Sequence, residues 1–450
     1  MVEPTLSPLD DRYLTKTQEL RDFFTEKSLF QYKLFVELKY FIKLIDILPE
    51  LNDLKENKIV ISSQLLKYFN MFSDRHYKEI KRHEKKTNHD VKALEYFISQ
   101  IFYDCKLSEY IPFIHFGLTS QDINSTANIL SMKDAITMIL IPKLNEIQDT
   151  LNKYSKEMSD DVMLSFTHGQ SAVPTTMGKE LYVFKYRLRE QISNLNNMKY
   201  TTKFGGAVGN FNAHYFAYPH INWEEFADNF IKNDFYIDRE KFTTQISNYD
   251  NICNILNLFK TINNIINDLN IDCWLYISKG YLIQRVNESE IGSSTMPHKV
   301  NPINFENSEG NICIANSLIE GITGKLSVSR LQRDLTDSTI LRNLGVLFGY
   351  SLVSYNSTLE GLKKIKINKE KIDKELNDNK IVLSEGIQTI MRKHFINNSY
   401  ETVKEIVRKE NEIDNKTISK FISTLPEEVK KDLENIDMKT YTGNSLNFMS

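Results

Sequence analysis

Proline is scarce in this 450-residue chain: there are ten, with none between Pro219 and Pro297 or between Pro302 and Pro426. Proline breaks a helix by removing an N–H and crowding the preceding turn, so both intervals are open to long uninterrupted helices. Cysteine is scarce too. The four residues Cys105, Cys253, Cys273 and Cys313 lie far apart with no CxxC pair. That excludes a disulfide framework or zinc ribbon and leaves reduced thiols, as in a cytosolic protein. Charge of one sign is not in excess: 56 basic and 59 acidic side chains give a net −3. No bulk field draws the chain to nucleic acid or membrane, so anion binding must come from local placement. Long apolar runs are missing as well. The best candidate for a membrane span, Asn343 to Leu359, lacks charge for 17 residues but contains Asn, Ser, Thr and Tyr. A span needs roughly 20 strongly apolar residues, so a buried helix is expected. The N-terminal stretch carries early acids and prolines and no apolar core, which argues against a secretory signal and for a cytoplasmic protein. The Gly205–Gly209 run lacks the GxGxxG order, no strand pattern precedes it, and no GxxxxGK[ST] loop occurs. His83 and His89 are six apart, wrong for one helical face, and no acidic pair completes a metal site. Neither a metal nor an organic cofactor is expected.

What is present is helical periodicity. A hydrophobic fraction of 41% and a charged fraction of 26% are those of a soluble globular protein, and the length suggests two or three domains. Ile252, Ile255, Leu256, Phe259, Ile262, Ile266, Leu269 and Cys273 recur at three- and four-residue steps, one apolar face on a long helix with Gly280 as its C-cap. Leu20, Phe23, Phe24, Leu34, Leu38, Phe41 and Ile45 mark a helix near the start; Val91, Leu94, Phe97, Ile98 and Ile101 mark another. Thr119-Ser120-Gln121-Asp122 offers an N-cap and an early acid to a third, and Pro142 suits the first turn of a fourth. Val173-Pro174-Thr-Thr is read as opening a fifth, running through Leu181, Phe184 and Leu188. The fold class expected is all-α with a central long-helix bundle. Three helical domains are expected, 1–111, 112–364 and 365–450, divided near the Leu107–Phe116 stretch and where Lys/Asp/Asn-rich segments begin.

Several polar clusters interrupt that pattern: Asp10-Asp11-Arg12-Tyr13, Thr87-Asn88-His89-Asp90, His115-Phe-Gly-Leu-Thr119-Ser120, Thr167-His168-Gly169-Gln170, Ile291-Gly-Ser-Ser-Thr-Met-Pro-His-Lys-Val-Asn-Pro302, and Arg333-Asp334-Leu-Thr336-Asp337-Ser338 with Arg342. Singly each has a plain explanation. Asp10–Tyr13 fits a hydrophilic loop, Asn88–Asp90 and Thr119–Ser120 fit helix N-caps, His168 fits a turn beside Gly169, and Arg333–Arg342 fits a solvated salt-bridged face. The 291–302 run carries more information: Gly292 and the serines let backbone N–H groups approach a ligand, the two prolines end any helix, and Lys299 adds a cation.

That run resembles the signature loop of the fumarase/aspartase superfamily of lyases, and His298 after the loop proline points to the adenylosuccinate lyase branch. The clusters, in this order, are similar to bacterial-type adenylosuccinate lyases from the start of the chain to about residue 390. Gly205-Gly-Ala-Val-Gly-Asn210-Phe-Asn-Ala-His214, Thr243-Thr-Gln245-Ile and Asn304-Phe-Glu-Asn307-Ser-Glu-Gly310 add to the likeness. Phe166 stands where many relatives carry arginine, Ser171 replaces a usual proline, and Asn248-Tyr249 replaces a more acidic or histidine-bearing pair. Relatives acting on argininosuccinate, fumarate/malate or aspartate typically have glutamine or glycine where this chain has His298. A catalytically silent scaffold of the same fold is a further reading, against which the retention of Ser293, His168 and Lys299 together argues.

The resemblance implies β-elimination of fumarate from adenylosuccinate and from the succinyl-carboxamide ribotide of purine synthesis. Its implied base is Ser293 and its implied acid His168. Thr119, Ser120, Lys299 and Asn301 would hold the succinyl carboxylates, and Ser294 is a further implied substrate-binding residue. Arg12, Tyr13, Arg333, Ser338 and Arg342 would hold the phosphoribosyl end, Asn88, His89 and Asp90 would orient base and phosphate, and Gln245 and Asn307 would add hydrogen bonds. It also implies a homotetramer whose core is the long-helix bundle and whose active sites are shared between subunits. The implied partners are purine nucleotide substrates, with no nucleic acid and no membrane.

Overall fold

A computed structural model describes residues 5–285, 300–409, 415–445 and 447. Helices dominate, as the periodicity predicts, and the strands among the described residues form three short two-stranded pairs. The chain divides into two compact units, one made of residues 1–144, 191–264 and 310–356, the other of 145–190, 265–309 and 357–450.

In the first unit the Glu26–Leu44 helix is buried on nearly every side. Phe30, Leu34, Leu38 and Phe41 lie on one face, and Val36, Tyr40 and Leu44 are also excluded from water. Sequence alone ran this helix back to Leu20. The structure breaks it at Thr25, which leaves the helical conformation and accepts the Ser28 N–H at 3.2 Å as N-cap. Tyr40 sits among Phe204, Phe226 and Phe230, with ring centroids 5.6–6.2 Å apart. The Asp74–Thr87 helix ends at Asn88 in the left-handed conformation (φ 51°), and the chain turns directly into the Asp90–Asp104 helix with His89 as its N-cap. The Ser120–Ala135 helix continues through a wide π turn, Ile136–Leu140, into Ile141–Glu157. The widened turn makes room for the ring of Pro142, which a regular helix would expel. The first unit's part of the bundle is locked by Asn263: its Nδ2 donates to Asn316 (3.0 Å) and Ser351 (3.3 Å), and the Tyr355 hydroxyl donates to its Oδ1 (2.7 Å). A one-residue slip of any of these helices would strand buried polar groups, so the network fixes register.

The second unit has a similar lock. Asn270, Ser308 and Thr358 form a closed triangle of buried hydrogen bonds, 2.8–2.9 Å long. All eight apolar positions read for the long helix, from Ile252 to Cys273, are buried, and the helix spans Asp250–Ser278. It stops as expected at Gly280 (φ 76°), where the Gly280 N–H donates to Ile277 and the Tyr281 N–H to Tyr276, a Schellman end that a left-handed glycine makes accessible.

One helix expectation fails. Val173-Pro174-Thr-Thr does not open a helix: Gln170–Thr176 is a strand paired antiparallel with Val162–Thr167, and the helix begins at Met177. Thr175 and Thr176 are β-branched, and Pro174 is tolerated because among the described residues no third strand joins this pair to receive a donor. Asn343–Leu359 falls in the Leu344–Lys364 helix, whose Leu347, Phe348, Leu352, Val353 and Leu359 are buried in the protein. Among the described residues no helix is long and apolar enough to cross a membrane. The four cysteines are free thiols.

Candidate active site

The Ser120–Ala135 helix organises the first unit's polar residues. Asp122, in its first turn, accepts the Thr119 N–H at 2.8 Å and so caps the helix. Its other oxygen takes Lys203 Nζ at 2.6 Å and the Gly205 N–H at 2.8 Å, while the Gly206 N–H reaches both oxygens at 3.2 Å. Both side chains of the Lys203–Asp122 pair are wholly buried. Burial pushes the Lys203 ammonium below its ordinary pKa, against the pull of Asp122. The Gly205–Gly209 run thus spends its first N–H groups on a carboxylate of the protein, which explains a glycine-rich loop without a dinucleotide.

Alongside this helix lies a cavity of about 610 Å³. Of the residues singled out by sequence, Asn88, His89, Asp90, Ser120, Arg333, Ser338 and Arg342 line it. They come from three helix ends or turns: the 88–90 corner, the N-terminus of Ser120–Ala135, and the Thr336–Leu341 helix with its flanks. Asp334 starts that last helix by accepting the Thr336 N–H (2.9 Å), and this turn sets Arg333 against Gln245, whose Oε1 accepts from the guanidinium at 3.0 Å. A second Arg333 nitrogen lies 3.4 Å from Ser338 Oγ. Gln245 therefore acts on the cavity through Arg333. The cavity also has walls that sequence reasoning missed. Lys33 pairs with Asp90 at 2.6 Å; burial works to raise the Asp90 carboxyl, but the Lys33 charge and hydrogen bond outweigh it and hold the group below its ordinary value. Gln121, Asn124 and Asn128 add amides along one helix face. Tyr249 is buried and donates to Asp337 at 2.7 Å, bracing the segment that carries Arg333 and Ser338.

Other sequence candidates lie elsewhere. Arg12 and Tyr13 occupy a surface turn after the short Pro8–Asp10 helix and are not among the residues lining this cavity; Arg12 is exposed. In the second unit, His168 sits exposed at the tip of the 162–176 hairpin, with positive φ at both His168 (53°) and Gly169 (75°). That is the conformation a two-residue hairpin turn demands, and Gly169 meets it without strain. Asn301 lies two residues before the start of the Ile303–Leu326 helix, and Asn307, on that helix, accepts the Ser357 hydroxyl at 2.8 Å. Ser293, Ser294 and Lys299 lie outside the described residues. A larger groove of about 840 Å³, in the second unit's C-terminal helices, includes Lys380, Ile418 and Glu427 and none of the residues singled out.

His115 is held in a close, largely buried pair, with Nδ1 2.6 Å from Glu37. Burial of the ring acts to lower its pKa, but the charge and hydrogen bond of Glu37, helped by Glu95 and Asp122, raise it above the ordinary 6.5. The folded protein then binds this proton more tightly than the unfolded chain. The pair's contribution to stability is complete below about pH 6.5 and fades as pH rises through the raised folded-state value. His115→Gln should flatten that part of the pH dependence of the thermal midpoint; an unchanged profile would mean that the pair does not act this way.

Residues 11–315 match a lyase family model, and residues 329–442 match the model of the adenylosuccinate lyase C-terminal region. The chain is 44% identical over 443 residues to adenylosuccinate lyase of Legionella pneumophila (strain Corby), covering 97% of this chain and 96% of that one. It is 45% identical over 448 residues to the Dictyostelium discoideum adenylosuccinate lyase (97% and 96% covered) and 39% over 446 residues to that of Escherichia coli K12 (98% and 97%). Among solved structures, fumarate lyase from Mesorhizobium sp. BNC1 superposes with a TM-score of 0.74 at 14% identity, over 95% of this chain and 96% of that one. The β-carboxy-cis,cis-muconate cycloisomerase of Acinetobacter calcoaceticus sp. ADP1 does so at 0.72 and 16%, over 97% of each chain. At such identities the structural likeness is one of fold.

Proposed function

The chain belongs to the adenylosuccinate lyase family, and from that premise we propose that it eliminates fumarate from adenylosuccinate, giving AMP, and from succinyl-aminoimidazole-carboxamide ribotide, giving AICAR. The observation that carries this reading to the site is the cavity in which Arg333, Ser338 and Arg342 face Asn88, His89 and Asp90. Guanidinium groups suit a phosphate through forked hydrogen bonds, and the polar corner at 88–90 suits the rest of a nucleotide.

The chemical difficulty is a weakly acidic C–H beside a carboxylate. Its removal loads a second negative charge onto that carboxylate, so the site must supply a base, donors for the growing charge, and an acid for the leaving nitrogen. In this proposal the Ser293 alkoxide, stabilised near Lys299 and loop N–H groups, takes the proton. The C–N bond then breaks, its electron pair leaving with the nucleobase nitrogen, which His168 protonates. Thr119, Ser120, Lys299 and Asn301 hold the succinyl carboxylates; Arg12 and Tyr13 join Arg333, Ser338 and Arg342 at the phosphoribosyl end; Ser294 is a further substrate contact; and Gln245 and Asn307 add hydrogen bonds. Protons move only through side chains, so neither metal nor organic cofactor is required. Fumarate release from adenylosuccinate, followed by absorbance, tests the reading. Turnover of argininosuccinate instead would replace it with a neighbouring activity, and a protein inert toward both purine substrates would make it a scaffold.

We further propose a cytoplasmic homotetramer with three helical domains, 1–111, 112–364 and 365–450, and active sites shared between subunits. Exposed apolar side chains on the long helices support assembly: Ile271, Trp274 and Leu275 on Asp250–Ser278, and Ile303 and Ile314 on Ile303–Leu326. Open space around Gly310, Gly321 and Gly324 of the latter helix leaves room for another helix to approach closely. If the groups of one site come from different chains, mixing inactive Ser293→Ala and His168→Gln subunits should restore part of the activity, up to about a quarter of the wild-type level for one intact site in four. No recovery after confirmed subunit exchange would exclude shared sites.

A further inference from the structure

The cavity wall contains a buried amide whose orientation is fixed and whose acceptor end is unused among the described residues. Gln121 is 1% exposed. Its Nε2 donates to Asp337 Oδ2 and to Ser338 Oγ, both at 3.4 Å. A carboxylate accepts and does not donate, and the same Asp337 oxygen also receives the Tyr249 hydroxyl, so the nitrogen end of the amide must face Asp337. Oε1 is therefore the other end. It is buried and has no hydrogen-bond partner among the described residues. Three residues along the same helix face, Asn124 Oδ1 is also buried and without a partner among the described residues, and both side chains line the 610 Å³ cavity. Buried polar atoms are nearly always satisfied, so two neighbouring carbonyl acceptors on side chains that line one cavity point to a ligand that brings donors.

The donor's identity follows from where Gln121 stands. Its amide adjoins Ser338, which in turn adjoins Arg333, and the proposed function, on which this inference rests, puts the phosphate there. Neutral carbonyl oxygens do not suit a phosphate, which offers acceptors. The part of a nucleotide next to its phosphate that carries O–H donors is the ribose. We propose that Gln121 Oε1, seconded by Asn124, accepts hydrogen bonds from the ribose hydroxyls, making this helix face the sugar-recognition element of the site and selecting ribonucleotide over deoxyribonucleotide substrates.

The experiment compares kcat/KM for adenylosuccinate with that for its 2′-deoxy and 3′-deoxy forms, in the wild-type enzyme and in Gln121→Leu. Leaving a built hydrogen-bond acceptor without its donor costs on the order of 10- to 100-fold, so the wild type should prefer the ribo form by about that factor over at least one deoxy form. Gln121→Leu should bring the ratio to within about twofold, mainly by losing activity on the ribo substrate. Equal use of all three substrates by the wild type overturns the proposal. So does a variant that loses the same factor on each, because Gln121 would then only brace Ser338 and Arg333. Gln121→Met, close in volume, serves if the leucine variant does not fold. Failure of the wild type to cleave adenylosuccinate at all has a different signature and overturns the lyase reading together with this one.

Discussion

His168→Gln should lower kcat by about 10²–10⁴-fold, the usual worth of a single proton-transfer group, while KM changes little. Histidine can pass a proton near neutral pH, whereas a glutamine amide offers hydrogen bonds but no transferable proton. The substitution leaves the framework alone. His168 is exposed at the hairpin tip, and the strands behind it are held by their own register, with Thr167 opposite Gln170 and Met163 opposite Thr175. The groups proposed for the phosphate and carboxylates are other residues, so substrate should still bind. Phe166 has Lys279 Nζ 3.9 Å from its ring centroid and Tyr281 packed at 5.7 Å, so a cation accompanies this strand. Steady-state kinetics on adenylosuccinate decide the matter: a variant within a few-fold of wild-type kcat removes His168 as the acid.

The helices were largely legible because burial repeats along them with helical period. Every apolar position read from Ile252 to Cys273 is in the core, and both the Gly280 stop and the Thr119–Asp122 start are local signals carried by adjacent residues. The hairpin at 162–176 was not legible. Its strands show runs of buried residues rather than alternation, and Val173-Pro174 imitates a helix start. Among the residues that line the cavity, sequence singled out those that stand in compact polar clusters: Asn88 to Asp90, Ser120, and Arg333, Ser338 and Arg342. It missed those that work through partners distant in the chain. Lys33 meets Asp90 across 57 positions and Lys203 meets Asp122 across 81. A lysine is so seldom fully buried that nothing local marks Lys203 as a core residue. Gln121 and Asn124 read as ordinary polar positions on a helix until the cavity beside them is known. Arg12 and Tyr13 form as compact a cluster as the others, yet the turn that follows Pro8–Asp10 keeps them out of this cavity's lining.

Lys203→Met should have the largest effect on stability. The methionine fills similar space without charge, leaving Asp122 buried with only backbone N–H donors from Thr119, Gly205 and Gly206. Removing one partner of a buried ion pair typically costs about 3–5 kcal/mol, because the remaining charge stays out of water without compensation. Asp122→Asn should cost less. The asparagine oxygen still accepts from the glycine amides, and burial already holds the Lys203 pKa below its ordinary value, so the lysine sheds its proton more readily than a free one. The double variant should then fall well short of the sum of the two, as expected for groups in direct contact. The effect should also reach the site, because Asp122 shares the first turn of the Ser120–Ala135 helix with Ser120 and Gln121, and Asn124 follows two residues on. Loss of the Lys203 anchor on that turn should raise KM in the surviving Lys203→Met protein more than it lowers kcat. Denaturation of all three variants at equal protein concentration, with kinetics below the transition, separates the outcomes. If Lys203→Met unfolds within about 0.5 kcal/mol of wild type, the level of a neutral surface change, the ion pair is not what anchors this helix end to the glycine loop.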